Sequence, residues 1–269
     1  MLGPVGSTPR RHMQRILGAS KKKRPFRLSG WEWVLLACSI LSVLAGGMVF
    51  ALVADGPFES RAAQFNPAAV ITVLRQRGQR LVMWGYFGHM WELYAMWAWI
   101  ATFLEEFFPS DASLVTFFVF LSGAFACPAA GLLAERFGRT VVTSAAMIMS
   151  GGIAAGIGFI PSSGGDGAAD AVVVLSLLWG ASVVADSAQF STCVTELCDP
   201  HYRGSVLAVQ TGLGFALTAV TIRLVPVVED AAGWGPAFLL LALGPLVGTI
   251  SMLTLRQTDD ALLLAHGKK

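Results

Sequence analysis

A histidine and a glutamate three residues apart, His89 and Glu92, stand in the middle of an apolar run, residues 81–104 (LVMWGYFGHMWELYAMWAWIATFL). At about 1.5 Å per residue such a run crosses a hydrocarbon core about 30 Å thick, and both ionisable groups fall near its midplane. A charged side chain at that depth costs at least about 2.5 kcal/mol, so it is kept where it faces protein or a water-filled cavity. The spacing puts the two on one helical face, which Gly85 and Met96 extend. A second polar pair, Asp186 and Gln189, interrupts another apolar run, residues 171–195. Two readings stay open: a face lining a solute pathway, and a buried, mutually satisfied pair that holds helices together. The pathway is the working expectation.

The elements that must position these groups follow from composition. Hydrophobic residues make up 55% of the 269, charged residues only 13%, and the mean hydropathy is +0.63. These values define an integral membrane protein, built of helices and embedded in a lipid bilayer. The net charge of +2 does not signal a nucleic-acid partner, because the basic residues lie at the ends and in short connections. Cys38, Cys127, Cys193 and Cys198 lack metal-ligand spacing and read as small apolar residues. No metal site, cofactor motif or nucleophile with a base is found. The GIAAGIG stretch at 152–158 lies inside an apolar span and reads as helix packing. An enzyme is not expected.

In order, residues 1–30 form a basic, disordered leader, and 31–54 a first spanning helix. Residues 55–80 form a linker in which Asn66 and Pro67 open a short amphipathic helix along the membrane surface. Six spans follow within 81–256, at about 81–104, 112–134, 140–160, 171–195, 204–225 and 235–255, and 257–269 is a tail. Short connections make neighbouring spans antiparallel, and they divide into two triplets, each with its polar helix first. Arg61, Arg75, Arg77, Arg80, Arg136, Arg139, Arg203, Arg256, Lys268 and Lys269 then share one side. The positive-inside rule makes that side, with linker and tail, cytoplasmic. The eight basic residues between Arg10 and Arg27 fall on the opposite side if 31–54 spans, which conflicts with the rule.

Residues 131–139, GLLAERFGR, join the second and third of the six spans. Gly131 and Gly138 allow a tight turn and close helix approach, while Glu135, Arg136 and Arg139 supply complementary charge. The stretch resembles the signature loop of the major facilitator superfamily, Gly-x-Leu-Ala-Asp-Arg-x-Gly-Arg, with Glu135 where aspartate is usual. A second patch, Glu196, Pro200, Arg203 and Gly204, is similar to a pattern many members carry in the corresponding later loop, with Asp199 inserted. The wording of residues 85–99 and 185–212 also resembles a bacterial branch of permeases.

The resemblance covers about residues 31–256 and implies an all-α membrane protein whose six later spans form one half bundle of two inverted triplets. It places 81–104 as the seventh of twelve family helices, so the chain resembles a C-terminal half with one preceding helix, and the basic leader an unrelated start. It implies a multi-pass protein of the plasma (inner) membrane that moves a small solute by alternating access. The implied pathway residues are Tyr86, His89, Glu92, Met96, Asp186 and Gln189, with Gln210 on the next helix. The implied cytoplasmic gate comprises Gly131, Glu135, Arg136, Gly138, Arg139, Glu196 and Arg203. Protons are a candidate partner, since imidazole titrates near neutrality and buried carboxyls in general hold protons tightly. Half a transporter supplies one cavity wall, so a missing N-terminal half or a second copy is a further candidate partner, and an inactive or partner-dependent fragment is the alternative function. A seven-helix receptor is a more distant alternative, and its retinal-binding version is excluded, because every lysine lies at 21–23 or 268–269.

Overall fold

The computed structural model describes residues 29–54, 71, 73 and 75–268. The leader and most of the linker, with its Asn66–Pro67 helix start, lie outside the described residues. The chain divides into two units, Met1–Arg61 and Ala62–Lys269. The first contains helix α1 (Gly30–Leu52), none of whose residues is buried. Its start is fixed by Ser29, whose backbone N–H donates to Glu32 Oε2 at 2.6 Å, one arm of a capping box.

The second unit is a helical bundle. Its helices are α2 (Arg77–Glu105), α3 (Ala112–Phe137), α4 (Arg139–Ile157), α5 (Asp166–Ala185), α6 (Ser187–Leu197), α7 (Arg203–Ala232) and α8 (Trp234–Arg256). Among the described residues, six helical stretches are long and apolar enough to cross a membrane: α1, α3, α4, α5 with α6, α7 and α8. The seventh, α2, has the length, since 29 residues rise about 43 Å. It is less apolar because its neighbours enclose it. Helix α2 buries 16 of its 29 residues, against 7 of 30 for α7. The polar span is therefore the central one, packed chiefly on α8 and α7. Elsewhere α8 packs on α4, and α3 on α5.

Two departures from the expected spans have local causes. The 171–195 run carries a one-residue turn at Asp186, φ −89° and ψ −13°, which divides α5 from α6 while the backbone stays in the right-handed helical region. Helix α7 runs past residue 225 with Pro226 inside it, as membrane helices tolerate when neighbours re-satisfy the freed carbonyl. The α3–α4 turn is a single residue, Gly138, at φ 95°, where a side chain would be strained.

The interior is layered. One apolar cluster gathers Leu93, Met96, Phe103, Trp179, Val183, Ile153, Trp234 and Leu241. A second gathers Val82, Tyr86, Met90, Met147, Phe190, Cys193, Met252 and Leu264. On α2, α4 and α5–α6 the changeover falls at Glu92, Ser150 and Asp186, so a polar layer lies between two oily ones.

Helices α2 and α8 meet along glycines. A methyl at Gly88 would run into the Gly244 carbonyl and the Gly248 nitrogen, and one at Gly244 into the Gly88 carbonyl. Small residues permit this approach, which replaces a missing hydrophobic drive with dispersion contact. Trp91 Nε1 adds a bond to the Leu240 carbonyl at 3.0 Å. Replacing Gly88 by Val forces the backbones apart and is expected to cost about 2 kcal/mol or more, read as a lower melting temperature in detergent. Gly152→Ala, where an added carbon meets nothing within 4 Å, is expected to change stability by under about 0.5 kcal/mol.

Candidate functional site

The polar layer is built by residues from four helical elements. His89 lies about 18 Å along α2 from Arg77, and is only 2% exposed. Its Nδ1 stands 2.8 Å from Asp186 Oδ1, at the α5–α6 break. This is a close approach of opposite polarity without the alignment of a hydrogen bond, and it is an ion pair when the imidazole carries its second proton. The imidazole is flanked by the Tyr86 ring at 6.3 Å and the Phe190 ring at 5.6 Å, centroid to centroid.

Glu92, one turn further along α2, does not pair with His89. Its Oε1 accepts from Trp179 Nε1 on α5 at 2.8 Å, and its Oε2 from Ser150 Oγ on α4 at 2.8 Å. One carboxylate thus ties three helices through two neutral donors. Buried polar groups require such partners, and each bond is charge-assisted when the carboxyl is ionised.

The other expected pathway residues separate. Met96 is fully buried in the apolar cluster around Phe103. Tyr86 is buried against α7, where a side chain at Gly214 would strike its ring. Gln210 is 1% exposed, and neither amide atom has a hydrogen-bond partner. Gln189 belongs elsewhere, to the charge cluster at the other end of α6.

That cluster is centred on Arg139, at the first residue of α4 and 6% exposed. Its Nε and Nη2 donate to both oxygens of Glu196, each at 2.7 Å. Nη2 also reaches Glu135 Oε1 at 2.8 Å, and Nη1 reaches Gln189 Oε1 at 2.9 Å. The planar guanidinium suits this fork, which a lysine could not reproduce. Glu135, the departure from the usual aspartate, keeps the contact. Arg136 instead lies over the Phe137 ring, 5.2 Å from its centroid. Arg203 stays outside the cluster, with its Nε donating to the Cys198 carbonyl at 3.3 Å. An added carbon at Gly131 meets nothing within 4 Å, while Gly138 makes the turn.

Trp179 and Ser150 were not foreseen. Trp179 is the single tryptophan of its span, a donor that needs a buried acceptor, but nothing in the sequence says which. Ser150 carries no signal at all among its small neighbours. Among the described residues no group of three or more His, Cys, Asp or Glu could hold a metal ion.

Six helical stretches long and apolar enough to cross a bilayer among the described residues, with His89, Glu92 and Asp186 buried between helices, define a multi-pass membrane protein. Residues 26–222 match the model of the Major Facilitator Superfamily. The chain belongs to that family. No curated protein matches it.

Two substitutions measure the ties. Trp179→Phe removes one of the two donors on Glu92 and is expected to cost about 1–3 kcal/mol, the penalty of a buried group left half-satisfied. Arg139→Lys loses the two-pronged contact and is expected to lower the melting temperature more than Glu135→Gln, because Glu135 is half exposed (51%) and Glu196 less so (25%).

Proposed function

We propose that this chain forms one wall of a secondary transporter of the plasma membrane, which moves a small solute by alternating access around the layer holding His89 and Asp186. The observation that carries this reading is their 2.8 Å approach across helices, buried between two apolar clusters. Ionisable groups held at mid-depth in a helical bundle mark solute or ion pathways. Tyr86 and Gln210 are the further residues we assign to the solute. Gln210 brings an unpartnered amide, a donor and an acceptor that a polar solute would satisfy. Glu92 is assigned to holding α2, α4 and α5 in register, and Met96 to packing.

The Arg139–Glu196–Glu135 cluster serves as the closure of the cytoplasmic end. Helix α6 connects the two sites, since it starts beside Asp186 and carries Gln189 and Glu196 to Arg139. A solute or proton that separates His89 from Asp186 would act on that short helix. The facing wall comes from a second six-helix half or another copy of the chain.

Two measurements test this. Single cysteines placed at Arg136 and Asp166 are expected to react with an impermeant maleimide from opposite faces of the membrane, and reaction from the same face overturns the topology. A panel of amino acids, organic acids and sugars is then screened for thermal stabilisation of the purified chain. A solute that raises the melting temperature of the wild type but not of Asp186→Asn supports the site. Equal shifts in both remove His89 and Asp186 from it. Solute entry into vesicles that is indifferent to an imposed proton gradient removes proton coupling.

A further inference from the structure

The residues after α8, expected as a plain tail, fold into two short 3-10 turns, Asp259–Leu263 and Ala265–Gly267. Ala261, Leu264 and Ala265 are fully buried, and Leu264 enters the apolar cluster with Cys193, Val194 and Cys198. Such burial is unexpected of a solvated tail.

Its polar contacts fall on helix ends and match their polarity. Asp260 Oδ2 accepts from the Gly78 backbone N–H at 2.9 Å. Gly78 is the second residue of α2, whose own N-cap, Gln76, gives no side-chain bond. A carboxylate from 182 residues away therefore does the work of an N-cap and sits at the positive end of the helix dipole. Gly78 is the residue that admits it, because an added carbon there would collide with the Asp260 side chain. Lys268 Nζ donates to the Glu135 carbonyl at 2.6 Å, at the negative end of α3. Between them, the Ala265 N–H donates to Glu196 Oε2 at 3.2 Å, the same oxygen that accepts from Arg139 Nε. Ala265 and His266 hold φ of 45° and 57°, a left-handed conformation that non-glycine residues adopt only when their surroundings enforce it.

We propose that residues 258–268 are a strap that locks the Arg139 cluster shut, with Asp260 as its positioning residue, and that its release sets how readily that end of the bundle opens. The strap bridges the ends of α2, α3 and α6, and fixes the Glu196 carboxylate in the orientation that Arg139 requires. Opening the cluster breaks the Ala265 bond, so the strap and the gate move together. The inference rests on reading that cluster as the closure of the cytoplasmic end.

Cys193 and Cys198, at 0% and 4% exposure, lie beneath Leu264 and report on the strap. The test uses the full chain with Cys38 and Cys127 replaced by serine and measures the rate of maleimide labelling. Asp260→Ala and Gly78→Ala are each expected to raise the rate about tenfold, as losing a helix cap does to a local opening equilibrium. Asp260→Asn, which keeps an oxygen acceptor, is expected to stay within about twofold of the wild type. The total tryptophan fluorescence, from eight residues, should not change in any of them. Labelling at the wild-type rate in Asp260→Ala and Gly78→Ala overturns the proposal. So does a global loss of fold in both Asp260→Ala and the milder Lys268→Met, which would make the segment ordinary core. Neither result depends on a solute, so the strap can fail while the transport reading stands.

Discussion

Ionisable groups inside an apolar bundle must find partners across helices, and the arrangement of this protein follows from that requirement. His89, Glu92 and Asp186 each cost several times thermal energy to hold away from water. Each is therefore met by something specific: imidazole against carboxylate, and carboxylate against an indole N–H and a hydroxyl. These contacts join α2 to α4, to α5 and to the α5–α6 break. The apolar clusters on either side set the depth of the layer, but the layer sets which faces meet. A rotation of α2 by one residue would turn His89 and Glu92 away from Asp186, Trp179 and Ser150, the groups that meet them.

Much of this was legible in the sequence. The long apolar runs, their alternation and the polar character of residues 81–104 follow from hydropathy and spacing, and the GLLAERFGR stretch carries the family likeness on residues that the structure gathers round Arg139. The pairing was not legible. His89 and Glu92 share a face by spacing, and that invites a mutual contact. Yet side chains three apart on a helix both point outward toward neighbours, and what meets them depends on the rotation of α4 and α5, which small-residue spans such as GGIAAGIG do not encode. Gln189 shows the same limit: Asp186 and Gln189 look like one helical face, yet Asp186 meets His89 on α2 while Gln189 accepts from Arg139 on α4. Residues 257–269 read as a tail because 3-10 turns of five and three residues are too short for a period to show among the apolar residues of ALLLA.

The two ends of the bundle are held by different chemistry. At one end, Trp234 Nε1 donates to Glu106 Oε1 at 2.7 Å, and a packed set of aromatic rings, Phe103, Phe238 and Trp234, lies beneath with centroids 5.1 to 5.6 Å apart. At the other, the ties are charged groups round Arg139. Dispersion contact falls steeply with separation and is indifferent to salt, whereas the charged fork is directional and acts over a longer range.

The glycine seam between α2 and α8 has a mechanical result. Where two backbones touch with no side chains between them, no rotamer change can ease one past the other, and the two helices travel as a single stiff plank. His89 follows Gly88 directly in the sequence, so any tilt of that plank carries the imidazole with it and changes its distance to Asp186 on the neighbouring helix.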